Sequence, residues 1–233
     1  MIPKNIHYCW FGRNPKPKLA EKCITSWKNF CSDYEIVEWN EDNFNVEKYP
    51  YAKYCLDNRK FAFLSDFARL VIVAEYGGIY FDTDVELIRK PDELLKNHAF
   101  YGFENDEYVN SGLGFGAEKE QTTVLKMLEE YKYLEKEDGS FELKSCPGLN
   151  TNALVKLGLE KNGEEQIVSG AHIFPADYFN PFDDPTGKLK ITENTYSIHW
   201  YAKSWISKRK RIRSRLTRPL HRLLGEDFFR RKQ

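Results

Sequence analysis

The 233-residue chain predicts an α/β domain built on a largely parallel sheet. Two observations point there. The chain opens as strand, helix, strand: residues 2–11 read as extended, Leu19, Cys23, Trp27 and Phe30 recur three or four apart, and residues 34–39 are extended again. Residues 60–76 are then apolar almost all round, as a buried helix is, and run through Gly77-Gly78 into the aromatic strand Ile79-Tyr80-Phe81.

The remaining elements follow in order. Pro15 and Pro17 break the first strand, and Gly77-Gly78 stops the buried helix because glycine adopts the left-handed conformation cheaply. Residues 99–103 and 112–117 read as strands, 122–134 and 148–159 as helices, and the charged stretch 135–140 as a surface loop. Residues 171–174 and 196–201 read as short strands, separated by an irregular loop over 175–187. We read one domain over 1–202 and a helical tail over 203–233.

An apolar fraction of 41% and a charged fraction of 30% exclude disorder, collagen-like repeats and coiled coil. No run approaches about 18 apolar residues, and MIPKNIHYCWFG lacks the apolar core of a secretory signal, so a cytoplasmic protein is expected. Five cysteines, an odd number with no C-x-x-C pair, are expected to be reduced thiols.

The zero net charge hides an asymmetry. Residues 203–233 hold twelve Lys/Arg and two acids, while residues 1–202 hold 23 basic and 33 acidic side chains. In the tail Trp205, Ile212, Leu216, Leu220, Leu223 and Leu224 recur at helical spacings among Arg and Lys, and Pro219 should divide the helix. Such a basic amphipathic segment suits the anionic inner face of a membrane, where the protein would sit peripherally. Docking of the stripe on the acidic body is the competing reading, and nucleic acid is not expected as a partner.

The sharpest chemical feature is GGIYFDTDVEL. Asp82 and Asp84 stand two apart after an apolar strand, where parallel sheets place their ligand crevice, and in extended chain would share a face. Carboxylates so placed suit Mg²⁺ or Mn²⁺ with positions left for water and phosphate, although a bare D-x-D is also a common solvated loop. Ser65, Asp66 and Arg69 lie inside the apolar helix, with Asp66 and Arg69 on one face. They form either a structural ion pair or a set of sugar contacts. Trp10 closes the first strand and is either a base-stacking platform or core. His7 reads as a satisfied core histidine. In SIHWYAKSW, His199 can complete a metal site, Lys203 can neutralise phosphate, and Trp200 and Trp205 can close the site or pack. Asn110-Ser111-Gly112 suits close approach of a sugar or a plain turn.

These motifs together, IPKNIHYCWFG, FLSDFARLVIVAEYGGIYFDTDVEL, NSGLGFGAEK and SIHWYAKSW, resemble glycosyltransferase family 32, whose members contain the D-x-D sugar-binding motif. The family includes yeast-type mannosyltransferases and bacterial capsule and lipopolysaccharide enzymes, and clostridial glucosylating toxins are similar at a distance. The resemblance implies a GT-A type nucleotide-sugar-binding fold with a mixed, mostly parallel sheet, a divalent metal (Mn²⁺ or Mg²⁺) on the donor diphosphate, and retention of anomeric configuration. It implies that Trp10 stacks on the base, that Ser65, Asp66 and Arg69 hold the donor sugar, and that Tyr80 precedes the metal motif. It further implies that Asp84 ligates the metal, Asp82 contacts ribose or sugar and the metal through water, Asn110 and Ser111 lie beside the reacting sugar, and His199, Trp200 and Trp205 lie near the diphosphate.

The expected function is therefore hexose transfer from a UDP- or GDP-sugar to a glycan acceptor, lipid-linked, in bacterial surface polysaccharide synthesis. A nucleotide-sugar hydrolase, or a sugar-binding or membrane-associated module with a degenerate site, are the alternatives.

Overall fold

The computed structural model describes residues 1–203, 206 and 208–224. Strand β1 (Asn5–Cys9), helix α1 (Lys18–Phe30) and β2 (Glu35–Trp39) form the opening unit. Helices α2 (Pro50–Asp57) and α3 (Phe61–Tyr76) precede β3 (Gly78–Tyr80) and β4 (Val85–Leu87). The middle of the chain contributes β5 (Ala99–Asn105), β6 (Tyr108–Val109), β7 (Phe115–Ala117), α4 (Thr122–Glu130) and α5 (Cys146–Val155). It closes with β8 (Gln166–Val168), β9 (Ala171–Phe174), β10 (Phe182–Asp183), β11 (Lys188–Leu189) and β12 (Ser197–His199), then α6 (Lys208–Leu216) and α7 (Arg218–Leu224).

The main sheet has the order β2-β1-β3-β7-β5-β9-β8, with β6 on β5. β1 is parallel to β2 and β3, and β5 is parallel to β9, whereas β7 and β8 run against their neighbours. Five of these seven strands thus point one way, giving the mixed, mostly parallel sheet with flanking helices that a GT-A type fold implies. β4 leaves the sheet and pairs antiparallel with β12, so the chain near residue 199 returns to the strand that follows Asp84.

Helix α3 forms because its apolar positions run without interruption, and Leu64 and residues 67–74 are all buried against the sheet. Gly77 ends it at φ +67°, its N–H donating to the Val73 carbonyl. Gly78 follows at φ +107°, where a Cβ would sit 2.8 Å from the Asn5 carbonyl oxygen, so only glycine lets β3 lie this close to β1. His7 is a satisfied core histidine: Nε2 lies 2.9 Å from the Gly77 carbonyl, and the Trp39 indole donates to Nδ1 at 3.2 Å. All five cysteines are buried and free.

Several expectations need correction. Helix α2 was not anticipated, because its eight residues are too few to establish a period. The helix expected over 122–134 relaxes after Glu130 into a 3₁₀ turn over Tyr131–Leu134. Residues 112–117 are strand only from Phe115, after a 3₁₀ turn over Ser111–Leu113 that Asn110 caps by accepting from Gly112 N–H at 2.7 Å. Asp82 and Asp84 lie in a turn, closed by Val85 N–H donating to the Asp82 carbonyl at 3.0 Å, rather than in extended chain. The tail helix divides at Thr217, just before Pro219. No described helix is long and apolar enough to cross a membrane.

Trp27 fixes the strand beyond the acidic turn. It is fully buried, stacks on Phe81 at 5.6 Å, and its indole donates to the Val85 carbonyl at 2.8 Å. Trp27→Ala should cost about 3–5 kcal/mol in urea unfolding, the usual loss for a large buried aromatic. Trp27→Phe should cost about 1–3 kcal/mol, because it leaves the Val85 carbonyl unpaired. Wild-type stability in Trp27→Phe would show that this hydrogen bond does not hold β4.

Candidate active site

The site forms where β1 and β3 end side by side. Ile6 pairs with Ile79 and His7 with Tyr80, which brings Trp10 and Asp82 to the same edge of the sheet. α3 packs across that edge and delivers Asp66 and Arg69, and β12 delivers His199 from the far end of the chain.

Arg69 is the centre of the cluster, its side chain only 3% exposed. Its guanidinium pairs with Asp66 at 2.5 Å and with Asp82 at 3.1 Å, Nε donates to the Ser65 carbonyl at 3.2 Å, and the ring of Tyr80 lies 5.0 Å away. The Tyr80 hydroxyl donates to Asp82 at 3.1 Å. The S-D-x-x-R segment and the D-x-D turn are thus one ionic network, in which Asp66 and Asp82 share Arg69.

The second cluster holds Asp84. His199 Nε2 lies 3.3 Å from one carboxylate oxygen, Ala202 N–H donates to the other at 2.7 Å, and Trp200 N–H donates to the Asp84 carbonyl at 2.9 Å. One ligand atom from each of Asp82, Asp84 and His199 falls within 4.8 Å of the others. Two carboxylate oxygens and one imidazole nitrogen suit Mn²⁺ or Mg²⁺. Nδ1 of the buried His199 has no hydrogen-bond partner, leaving the ring without a fixed tautomer on that side.

The charges are unbalanced. Three carboxylates face one guanidinium and one imidazole. Burial pushes Asp66 up to about 6 against the pull of Arg69, with Asp82 adding to the rise. Burial likewise raises Asp82, against Arg69 and with Asp84. Burial would raise Asp84 as well, but His199 and the Ala202 N–H outweigh it and hold this carboxyl below its ordinary value. Burial would lower His199, yet Asp84 outweighs it and raises the imidazole. A divalent cation would supply the missing positive charge.

The other expected residues take different places. Trp10 is half-buried and its indole donates to the Asn14 carbonyl at 2.6 Å, with Lys16 5.8 Å from the ring. Asn110 and Ser111 are buried beneath the network: Asn110 caps its turn, and the Ser111 hydroxyl meets Cys146 Sγ at 3.1 Å. The Trp200 indole donates to Glu86 at 2.7 Å and packs on Phe182, on the side of α1. Lys203 pairs with Asp184 and donates to Ser214 at 2.9 Å, away from the carboxylate cluster. Trp205 lies outside the described residues.

Sequence reading missed Cys146, Glu104 and Tyr201, and named Gly112 without its role beside Asp82 and Arg69. Cys146 lies beside Arg69 at 3.7 Å and Asn150 at 3.0 Å, and burial pushes its thiol up to about 12, so it is inert packing beneath the guanidinium. Glu104 accepts from Tyr201 at 3.0 Å and lies 3.4 Å from Asn110, tying the returning chain to β5. Tyr201 packs tilted against His199, ring centres 4.2 Å apart. Gly112 is required where it stands, because a Cβ there would meet Asp82 at 2.7 Å and Arg69 at 3.1 Å. Only Gly112 left a signal, as the glycine after Asn110-Ser111.

Comparison with known proteins agrees with this geometry. Residues 17–101 match the family described as the glycosyltransferase sugar-binding region containing DXD motif, a span that holds Ser65, Asp66, Arg69, Asp82 and Asp84. The mannosyl phosphorylinositol ceramide synthase SUR1 of Saccharomyces cerevisiae is 28% identical over 143 residues, 58% of this chain and 36% of that one. Inositol phosphoceramide mannosyltransferase 3 of Schizosaccharomyces pombe is 32% identical over 106 residues, 42% of this chain and 29% of that one. The chain thus spans about a third of the length of these curated relatives. Among solved structures, the PaToxG glycosyltransferase superposes with a TM-score of 0.48 at 18% identity, covering 66% of this chain and 68% of that one. The galactosyltransferase LgtC superposes with a TM-score of 0.46 at 14% identity, covering 93% and 94%. The matched region holds the intact Asp82-Thr83-Asp84, so over residues 17–101 the chain is similar to the DXD-motif glycosyltransferases.

Proposed function

We propose that this chain is a metal-dependent, retaining glycosyltransferase that moves a hexose from a UDP- or GDP-sugar to a lipid-linked glycan acceptor, in the assembly of a bacterial surface polysaccharide. The observation that carries this is the joining of Asp82, Asp84 and His199 to Arg69 within one buried-edge cluster. The names of the two fungal relatives describe mannosylation of inositol phosphoceramide, a phosphate-bearing lipid, which supports an acceptor of that kind.

Asp84, Asp82 and His199 would hold a divalent cation, which when bound supplies positive charge for the departing diphosphate. Asp66, Arg69 and Ser65 would hold sugar hydroxyls, and Arg69 adds a fixed positive charge that needs no reorganisation as negative charge develops. Trp10, at the same sheet edge, would carry the base. Asn110 and Ser111 would shape the floor under the reacting sugar, with Tyr80 fixing Asp82 from below. Asp106 and Glu107 are exposed, so neither is buried in the cluster as an enzymatic nucleophile beneath the sugar. This favours front-face attack by the acceptor. The domain over 1–202 would hold the chemistry, with the basic tail as a peripheral contact to an anionic inner membrane face. Ile212 and Leu216 are 50% and 73% exposed, which supports membrane contact over burial of the stripe on the body.

Calorimetric titration of UDP and GDP with Mn²⁺, and again with EDTA, tests the reading. One nucleotide should bind only with metal, and Asp84→Ala should weaken it by at least about a hundredfold, since metal and donor are lost together. Failure of UDP, GDP and other nucleotides to bind the folded wild type would overturn the proposal in favour of a degenerate binding module.

The pH dependence has a definite sign. His199 is raised above its ordinary value and so stays protonated past pH 6.5, and a cation must displace that proton. Mn²⁺ affinity, followed by the free-ion paramagnetic resonance signal, should therefore rise with pH while His199 is protonated, approaching about tenfold per pH unit for one displaced proton, and level off once the imidazole is neutral. His199→Ala should bind more weakly and with a flatter profile. An unchanged slope in that variant would remove His199 from the ligand set.

A further inference from the structure

Beside the carboxylate cluster lies a cleft of about 460 Å³, walled by the body on one side and by α6 and α7 on the other. Its lining includes Phe182, Trp200, Tyr201, Lys203 and Arg218. Two of its lining residues touch the metal-binding group, since the Tyr201 ring lies tilted against His199 and Ala202 N–H holds Asp84. The opening is thus next to the reacting centre without being part of it.

We propose that this cleft receives the phosphate-bearing head of an amphiphilic glycan acceptor. The proposal rests on the glycosyltransferase reading above and names the acceptor's chemistry and seat. Two features select the ligand. Trp200 is half-buried and presents aromatic surface against which a pyranose packs, and the buried Phe182, ring centres 5.3 Å apart, backs it from behind. Asp184 is a single carboxylate between two cations, Lys203 on one oxygen and Arg218 at 2.9 Å on the other. The group therefore retains one positive charge at the cleft wall, complementary to a phosphate. Arg218 is held rigidly for this, as Nε also donates to the Asp184 carbonyl at 3.1 Å and the guanidinium lies 5.2 Å from the Phe182 ring centre. The helix that brings Ser214 to the cleft also shows Ile212 and Leu216 to solvent, four residues apart on one face, where a lipid chain leaving the cleft would meet the same apolar phase.

The geometry also reassigns two residues expected at the donor. Trp200 and Lys203 serve the acceptor in this arrangement, while the donor keeps Trp10, Asp66 and Arg69.

Calorimetry of the full chain with three probes, octyl mannoside 6-phosphate, octyl mannoside and inorganic phosphate, tests the proposal. The phosphorylated glycoside should bind at least about tenfold tighter than either other probe, as expected for a charge-assisted contact added to a sugar contact. Arg218→Gln should remove that advantage and Arg218→Lys should keep most of it. Phe182→Leu should weaken both glycosides alike. Metal-dependent nucleotide binding should persist in all three variants, which separates this proposal from the donor-site reading. Because Arg218→Gln also removes contacts that dock α7 on the body, Lys203→Gln provides a second removal of charge and should also reduce the advantage. Equal binding of charged and neutral glycosides, or a wild-type advantage in both charge variants, would overturn the proposal. Inorganic phosphate binding as tightly as the phosphorylated glycoside would also overturn it, by showing a free-anion site.

Discussion

The site depends on one buried cation. Arg69 sits in a helix whose neighbours are Leu64, Phe67, Ala68 and Leu70, and a guanidinium there is tolerated only with its charge met on site. Asp66 meets it from the same helix and Asp82 from the turn after β3. Burial would lower the Arg69 guanidinium, yet Asp82 and Asp66 together raise it well above its ordinary value, so the cation is permanent. Breaking a buried pair of this kind typically costs about 3–5 kcal/mol, because a charge is left uncompensated. The need to neutralise Arg69 therefore pins the acidic turn to the helix before any ligand arrives. Gly112 is the price of that closeness, as no side chain fits between the guanidinium and Asp82.

A second constraint acts from the other end of the chain. β12 has no place in the main sheet and pairs instead with β4, directly after the acidic turn. The pairing register sets His199 opposite Val85, and the chain beyond then wraps Asp84 with two backbone N–H groups. Tyr201 and Lys203, both non-glycine residues at positive φ, mark the tight path this requires. Strain of order 1–3 kcal/mol at such positions persists where the surroundings over-determine the backbone, as the bonds from Ala202 to Asp84 and from Tyr201 to Glu104 do here.

The tail turns its two chemistries in different directions. Its arginines reach the body, where Arg218 meets Asp184 and Arg222 donates to the Thr186 and Gly187 carbonyls. Its apolar Ile212 and Leu216 face outward. The acidic body thus attracts the basic tail through its cations and leaves part of the apolar stripe uncovered.

The sequence by itself determined the opening β-α-β unit, the buried helix α3 and the identity of the acidic motif. These are local signals: an apolar run, a glycine stop and residues close in sequence. It also determined that Asp66 and Arg69 share a face, because three residues in a helix leave no other choice. Only the tertiary structure decided what those residues do together. That Arg69 bridges to Asp82, that Cys146 and Glu104 support the network, and that the side chains of Trp200 and Lys203 pair with Glu86 and Asp184 instead are contacts across 13 to 114 residues of chain, set by which strands pair. The turn holding Asp82 and Asp84 illustrates the limit. A strand period would have placed both carboxylates on one face, but their ligand atoms converge because the backbone turns and β12 returns to meet them.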